Sequence, residues 1–104
     1  QAGFPPYSFQ AVLRAEAPEM ADAIAFLKAA SGLPPVAEFP DVLVYDPVPM
    51  RMARLANLER GQLLVESHSR PLLQAFLPRW REAIEQLRAP GKLRWHLEVD
   101  PFDF

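Results

Sequence analysis

The side chains best placed by type and spacing to do chemistry are arginines. Arg51, Arg54 and Arg60 fall within ten residues, opposed in that stretch only by Glu59, and Arg14, Lys92 and Arg94 are further cations on strand-like segments or the turn before one. Guanidinium groups in this pattern contact phosphates as forks or point charges without reading base sequence. An ordinary solvated surface is the competing reading of the same residues. Arg70 follows Ser69, a good helix N-cap, and stands beside the free donors of a first helical turn, an arrangement suited to a phosphate or a terminal carboxylate. A solvated arginine after a cap is the competing reading there.

Other constellations carry less. Ser67-His68-Ser69 sets hydroxyls beside an imidazole, but sequence neighbours point apart and capping accounts for Ser69. His96 falls on an outward strand position with no second histidine at ligand spacing. Asp100 and Asp103 flank a proline near the terminus and read as a solvated tail. Trp80 and Trp95 lie on apolar faces and read as core rather than as base-stacking platforms. The phosphate-binding GxxxxGK, the dinucleotide GxGxxG, HExxH and GxSxG are all missing, so the sequence offers no enzyme and no metal or cofactor site of its own.

The elements that must position these residues follow from periodicity. Phe9, Ala11, Leu13 and Ala15 alternate with Gln10, Val12, Arg14 and Glu16, which predicts a first strand burying the first set. Pro18 suits a first helical turn, with Glu19 and Asp22 near the positive end of the dipole. Met20, Ala23, Ile24, Leu27 and Ala30 then form an apolar stripe, and Ser31-Gly32 before Pro34-Pro35 ends it. The proline-rich stretch 33–40 reads as a surface connection. Val42 to Tyr45 is a strand, and Pro47 and Pro49, lacking amide hydrogens, put it at a sheet edge. Across a basic turn, Gln62, Leu64 and Glu66 alternate with Leu63, Val65 and Ser67 as the next strand. From Leu73, the spacing of Phe76, Leu77, Trp80, Ile84 and Leu87 predicts the longest helix, with a kink near Gln74 to Pro78. Ala89-Pro90-Gly91-Lys92 fits a type II turn into a last strand on which Leu93, Trp95, Leu97 and Val99 alternate with Arg94, His96 and Glu98.

This order predicts an α+β domain of the ferredoxin-like split βαβ plan (β-α-β-β-α-β), a four-stranded antiparallel sheet with two helices on one face. Val12 and Leu64 occupy the places where an RNA-recognition module of that plan needs aromatics, which excludes the module. The 104 residues, half of them apolar, suffice for one core, and a second domain would be too small. A formal net charge of −2 gives no surface-wide attraction for polyanions, so nucleic-acid contact must use a local patch. The absence of cysteine excludes disulfides and thiolate chemistry and fits a reducing, cytoplasmic setting. No apolar run is long enough for a membrane span, no signal peptide opens the chain, and a start on Gln1 suggests a fragment or processed product.

Phe4-Pro5-Pro6-Tyr7, Leu13-Arg14-Ala15, Asp46-Pro47 through Met52-Ala53-Arg54 to Arg60-Gly61-Gln62-Leu63-Leu64, Ser69-Arg70, and Trp95-His96-Leu97-Glu98-Val99-Asp100-Pro101 together resemble the C-terminal domain of primosomal protein N′, the bacterial replication-restart helicase family called PriA. The resemblance spans nearly the whole chain in order. It implies the last domain of an ATP-dependent 3′-to-5′ DNA helicase, itself non-catalytic, with ATP and zinc sites in upstream domains. On that basis residues 1–6 are a linker from the upstream helicase and 7–104 the domain. The implied partners are single-stranded or forked DNA, the acidic C-terminal tail of single-stranded DNA-binding protein, and other primosome proteins, in the bacterial cytoplasm. Carried over position by position, Arg54, Arg60 and Gln62 match the hairpin pattern and Arg70 the arginine after the cap. With Arg14, Arg51 and Arg94 from the charge pattern, the expected DNA contacts are Arg14, Arg51, Arg54, Arg60, Gln62 and Arg94, and the expected tail contact is Arg70. The chain departs from the family in having Leu58 and Glu59 where a basic and an aromatic residue are usual, and in placing Pro78 inside a helix that is usually smoother. The alternative reading is a stand-alone ferredoxin-like regulatory module that binds a small ligand.

Overall fold

A computed structural model describes residues 8–50, 57–89 and 91–99. Strand β1 (Phe9–Ala17) buries Ala11, Leu13 and Ala15 of the set the alternation selects and Ala17 beyond it, while Phe9 of that set is half-buried and Val12 of the opposite set is buried as well. Helix α1 (Met20–Ser31) follows and buries Ala23, Phe26, Leu27 and Ala30. Phe26 falls outside the predicted stripe, and it is buried because the Trp95 ring lies 6.2 Å away, centroid to centroid. That neighbour comes from the other end of the chain.

Stretch 33–40, expected to be a plain connection, contains a short helix α2 (Pro34–Glu38). Leu33 caps it in an extended conformation and its prolines stand in the first turn, where a missing donor costs nothing. Pro35 is buried, Phe39 meets Phe76 edge-on at 5.5 Å, and Glu38 pairs with Arg79 at 2.7 Å, which together clamp the connection onto the last helix.

The predicted edge strand is two strands. Strand β2 (Leu43–Val44) pairs with Glu66 and Val65 of β4 (Glu59–Ser67), and β3 (Val48–Pro49) pairs with Gln62 and Gly61 of the same strand. Pro47 has no hydrogen to donate, and pairing is interrupted around it. The sheet therefore has five strands rather than four, and with α2 the described chain has three helices rather than two. Its order is β2-β4-β1-β5, with β3 on the free side of β4, and every pairing is antiparallel.

Helix α3 (Arg70–Glu85) starts at Ser69, whose hydroxyl accepts from the Leu72 amide at 3.2 Å as predicted. It buries Leu73, Phe76, Leu77, Trp80 and Ile84, and the helix continues through Pro78. The Trp80 indole nitrogen donates to the Ala30 carbonyl at 2.9 Å, tying α3 to the last turn of α1. Strand β5 (Arg94–Val99) completes the sheet beside β1. The turn expected before it includes Pro90, which lies outside the described residues. Helices α1 and α3 share one core with Ala11, Leu13, Leu63 and Val65, so both cover the same sheet face. The other face carries Arg14, Glu16, Arg60, Gln62, Leu64, Arg94, His96 and Glu98, and none of the described helices covers it.

Candidate nucleic-acid interface

Register assembles the uncovered face. Arg14 on central strand β1 stands directly between Gln62 on β4 and His96 on β5, and Glu16 stands directly between Arg60 and Arg94. Cross-strand neighbours of this kind hold their Cβ atoms roughly 5 Å apart. Six polar side chains from three strands thus meet in two rows, and Arg14, Glu16, Arg60, Arg94 and His96 line a shallow cavity of about 290 Å³. Next in line, Val12 lies between Leu64 and Glu98 and is buried, giving the patch an apolar border.

Of the residues expected to contact DNA, the structure brings together Arg14, Arg60, Gln62 and Arg94. Arg51 and Arg54 lie outside the described residues. Two of the assembled arginines are engaged by acids of the same face: Arg60 Nε donates to Glu16 Oε1 at 3.1 Å, and Arg14 donates to Glu98 Oε1. Opposition to the cations therefore comes from Glu16 and Glu98 on neighbouring strands and not from the local stretch around Glu59. Side-chain exposures of 36% for Arg60 and 28% for Glu16 leave the first pair wet, and such pairs contribute only about 0.2–1 kcal/mol. Arg94 is exposed and forms no ion pair among the described residues.

Arg70 is elsewhere. Its guanidinium carbon stands 5.3 Å from the centroid of the Phe9 ring, at the far end of β1 from Glu16, a separation of roughly 20 Å along an extended strand. The backbone around it is also largely committed. Ser69 N–H donates to the Ser67 hydroxyl, Pro71 has no donor, Leu72 N–H donates to the Ser69 hydroxyl and Leu73 N–H to the Ser69 carbonyl. An anion at this helix end meets the Arg70 side chain, with few amides to help it.

At the edge of the uncovered face the Tyr45 hydroxyl donates to Glu66 Oε1 at 2.6 Å. That bond, followed by one from the Ser8 hydroxyl, holds the Glu66 carboxyl below its ordinary pKa, and the same bond to Glu66 raises Tyr45. Sequence reasoning passed over Glu16 and Glu98 as members of the patch and set His96 aside as solvated. Strand parity carried the signal, since Glu16 shares the face of Arg14, and Glu98 that of Arg94. Among the described residues no group of three or more histidine, aspartate or glutamate side chains is placed to hold a metal, and no helix is long and apolar enough to cross a membrane.

A designed protein titled "De novo designed protein Foldit4" superposes with a TM-score of 0.56 at 10% identity, covering 88% of this chain and 96% of its own, a likeness of fold alone. The family profile described as "Primosomal protein N C-terminal domain" matches residues 1–102, nearly the full length and the whole of the uncovered sheet face. A match of that extent ties the chain to the primosome and to replication restart, and it belongs to the primosomal protein N C-terminal domain family.

Proposed function

We propose that this chain is the non-catalytic, DNA-binding and partner-docking C-terminal domain of an ATP-dependent 3′-to-5′ restart helicase of the bacterial cytoplasm, with ATP and zinc sites on upstream domains. Residues 1–6 are its linker and 7–104 the C-terminal domain. Strand order β2-β4-β1-β5, with α1 and α3 on one face, supports reading the fold as split βαβ with a divided edge strand. The observation that carries the functional reading is the gathering of Arg14, Arg60 and Arg94 with Gln62 and His96 on an uncovered face within the matched family region.

The charge count sets the strength of the contact. Three arginines face Glu16 and Glu98 on this patch, an excess of one positive charge with histidine neutral. An arginine already neutralised by a carboxylate releases no counterion when a phosphate replaces that carboxylate, so the patch releases about one. The expected salt slope on single-stranded DNA is therefore roughly −0.7 from these residues, with weak affinity. Arg51 and Arg54 add to it where they contribute. Arg70, on the other side of the molecule, takes the acidic carboxylate-ended tail of single-stranded DNA-binding protein through its side chain.

Fluorescence titration of labelled single-stranded and forked DNA at two ionic strengths tests the reading. Affinity that falls with salt, and falls further in Arg94→Ala, supports it. Salt-independent binding, or none to either DNA, rejects it. Arg70→Ala should weaken the tail peptide more than DNA, and equal loss of both removes that role.

A further inference from the structure

We propose that Glu16 is an internal competitor for nucleic-acid phosphate, which holds the anion position between Arg60 and Arg94 and sets how tightly the face binds. The inference rests on the DNA-binding reading above. Glu16 lies on the central strand, so its two cross-strand neighbours are fixed by register, and both are arginines. Its Oε1 accepts from Arg60 Nε at 3.1 Å, and both residues line the cavity that also presents Arg94, Arg14 and His96.

A phosphodiester bridging Arg60 and Arg94 has to pass over this carboxylate. It meets the like charge that stands between the two arginines and must also take Arg60 from its present partner. Neither obstacle is large on a wet surface, since the pair contributes about as much as other exposed ion pairs. Their effect is to filter. A single surface anion gains little by displacing Glu16, whereas a strand that engages Arg94, Arg14 and Arg60 together gains enough to do so. The acid thus suppresses adventitious polyanion binding on a face of otherwise uniform positive charge in that row.

Glu16→Gln keeps the shape and an acceptor for Arg60 while removing the charge. Single-stranded DNA should bind this variant about two- to fivefold more tightly at low salt. Its salt slope should steepen by roughly 0.7, because one more phosphate then releases a counterion. Glu82→Gln is the control, since Glu82 is exposed on α3, away from this face, and its loss changes net charge by the same unit. Equal tightening in both variants means a general charge effect and overturns the proposal. DNA binding by the parent chain with no change in Glu16→Gln overturns it while leaving the DNA-binding reading standing. Binding by neither chain, or by Glu16→Gln alone, rejects the DNA-binding reading of the parent and the proposal with it. Arg60→Ala added to Glu16→Gln should return affinity to the parent level or below, and retention of the gain rules out Arg60 as the group released.

Discussion

A β-carbon built on Gly61 would stand 3.0 Å from Ile24 Cδ1, 3.1 Å from Leu27 Cδ1 and 3.4 Å from the Val48 carbonyl oxygen. The glycine lets α1 sit close on β4, between the strand positions of Arg60 and Gln62 and on the opposite face from them. Both nearest contacts are ends of flexible side chains, so Gly61→Ala requires only a small shift of Ile24 and Leu27. Gly61→Val adds two more carbons at the same place and should destabilise by about 1–3 kcal/mol, the usual cost of overpacking. A urea midpoint that falls more for valine than for alanine, at unchanged m, checks this; equal midpoints for all three chains would mean α1 is not held there. At the edge, the Tyr45–Glu66 bond makes a pH-dependent contribution. Glu66 is depressed in the folded chain, so its stabilisation is present above the unfolded carboxyl pKa and is lost as pH falls through the lowered folded value. Tyr45 is raised, so its part persists below the unfolded phenol pKa and is lost as pH rises through the folded one. Tyr45→Phe should therefore be less stable than the parent near pH 7, and the gap should close near pH 3. A gap of constant size across that range would place the effect in packing rather than in the bond.

Pro78 is the point at which element-level reasoning from sequence met its limit. The apolar spacing of Leu73, Phe76, Leu77, Trp80 and Ile84 located α3 and its buried face correctly, and Ser69 located its start. The proline changes neither, because Pro78 and Gln74 are both exposed and the carbonyl left without an intrahelical donor, that of Gln74, is on the wet side. Replacing Pro78 by alanine restores that bond. It should stabilise the chain by about 1–2 kcal/mol, less than the full helix-interior penalty because proline also restricts the unfolded chain. Equilibrium denaturation reads the gain directly, and a loss would show that the ring's place in the groove it lines with Leu97 and Val99 outweighs the hydrogen bond. What was not legible at this level depended on contacts distant in sequence. Nothing local in Pro34–Glu38 distinguishes a short helix from a proline-rich loop; α3 supplies the surface, through Phe76 and Arg79, that makes the helix worth forming. Division of the edge strand at Pro47 was within reach of the sequence, since the missing donor is a local property.

Across the whole molecule, the positions of the cations were legible and their partners were not. Strand parity put Arg14 and Arg94 on faces of their strands, but Arg60, read as part of the basic turn, lies on β4, and the pairing of Glu16 with Arg60 and of Glu98 with Arg14 depends on registers between strands 44 to 84 residues apart. The same long-range joining shapes how the chain should unfold. Buried residues from β1, β4, α1 and α3 form one contiguous core, with Trp80 fully inside it and bonded to Ala30. Strand β5 borders that core through half-buried Trp95 and Leu97, with Leu93 just before it, and among the described residues its outer edge pairs with no strand. Trp95 is nonetheless held from the helix side by Phe26 at 6.2 Å and Arg81 at 5.7 Å, so the edge strand gains its stability from α1 and α3 and should not outlast or precede them. A single cooperative transition follows. In Trp95→Phe the remaining indole reports the core, and its urea midpoint should coincide with that from far-UV circular dichroism. The difference in fluorescence between parent and variant reports Trp95 and should fall on the same curve. A Trp95 transition at lower urea would show β5 leaving first, and would uncouple Arg94 and His96 from the face that β1 and β4 present.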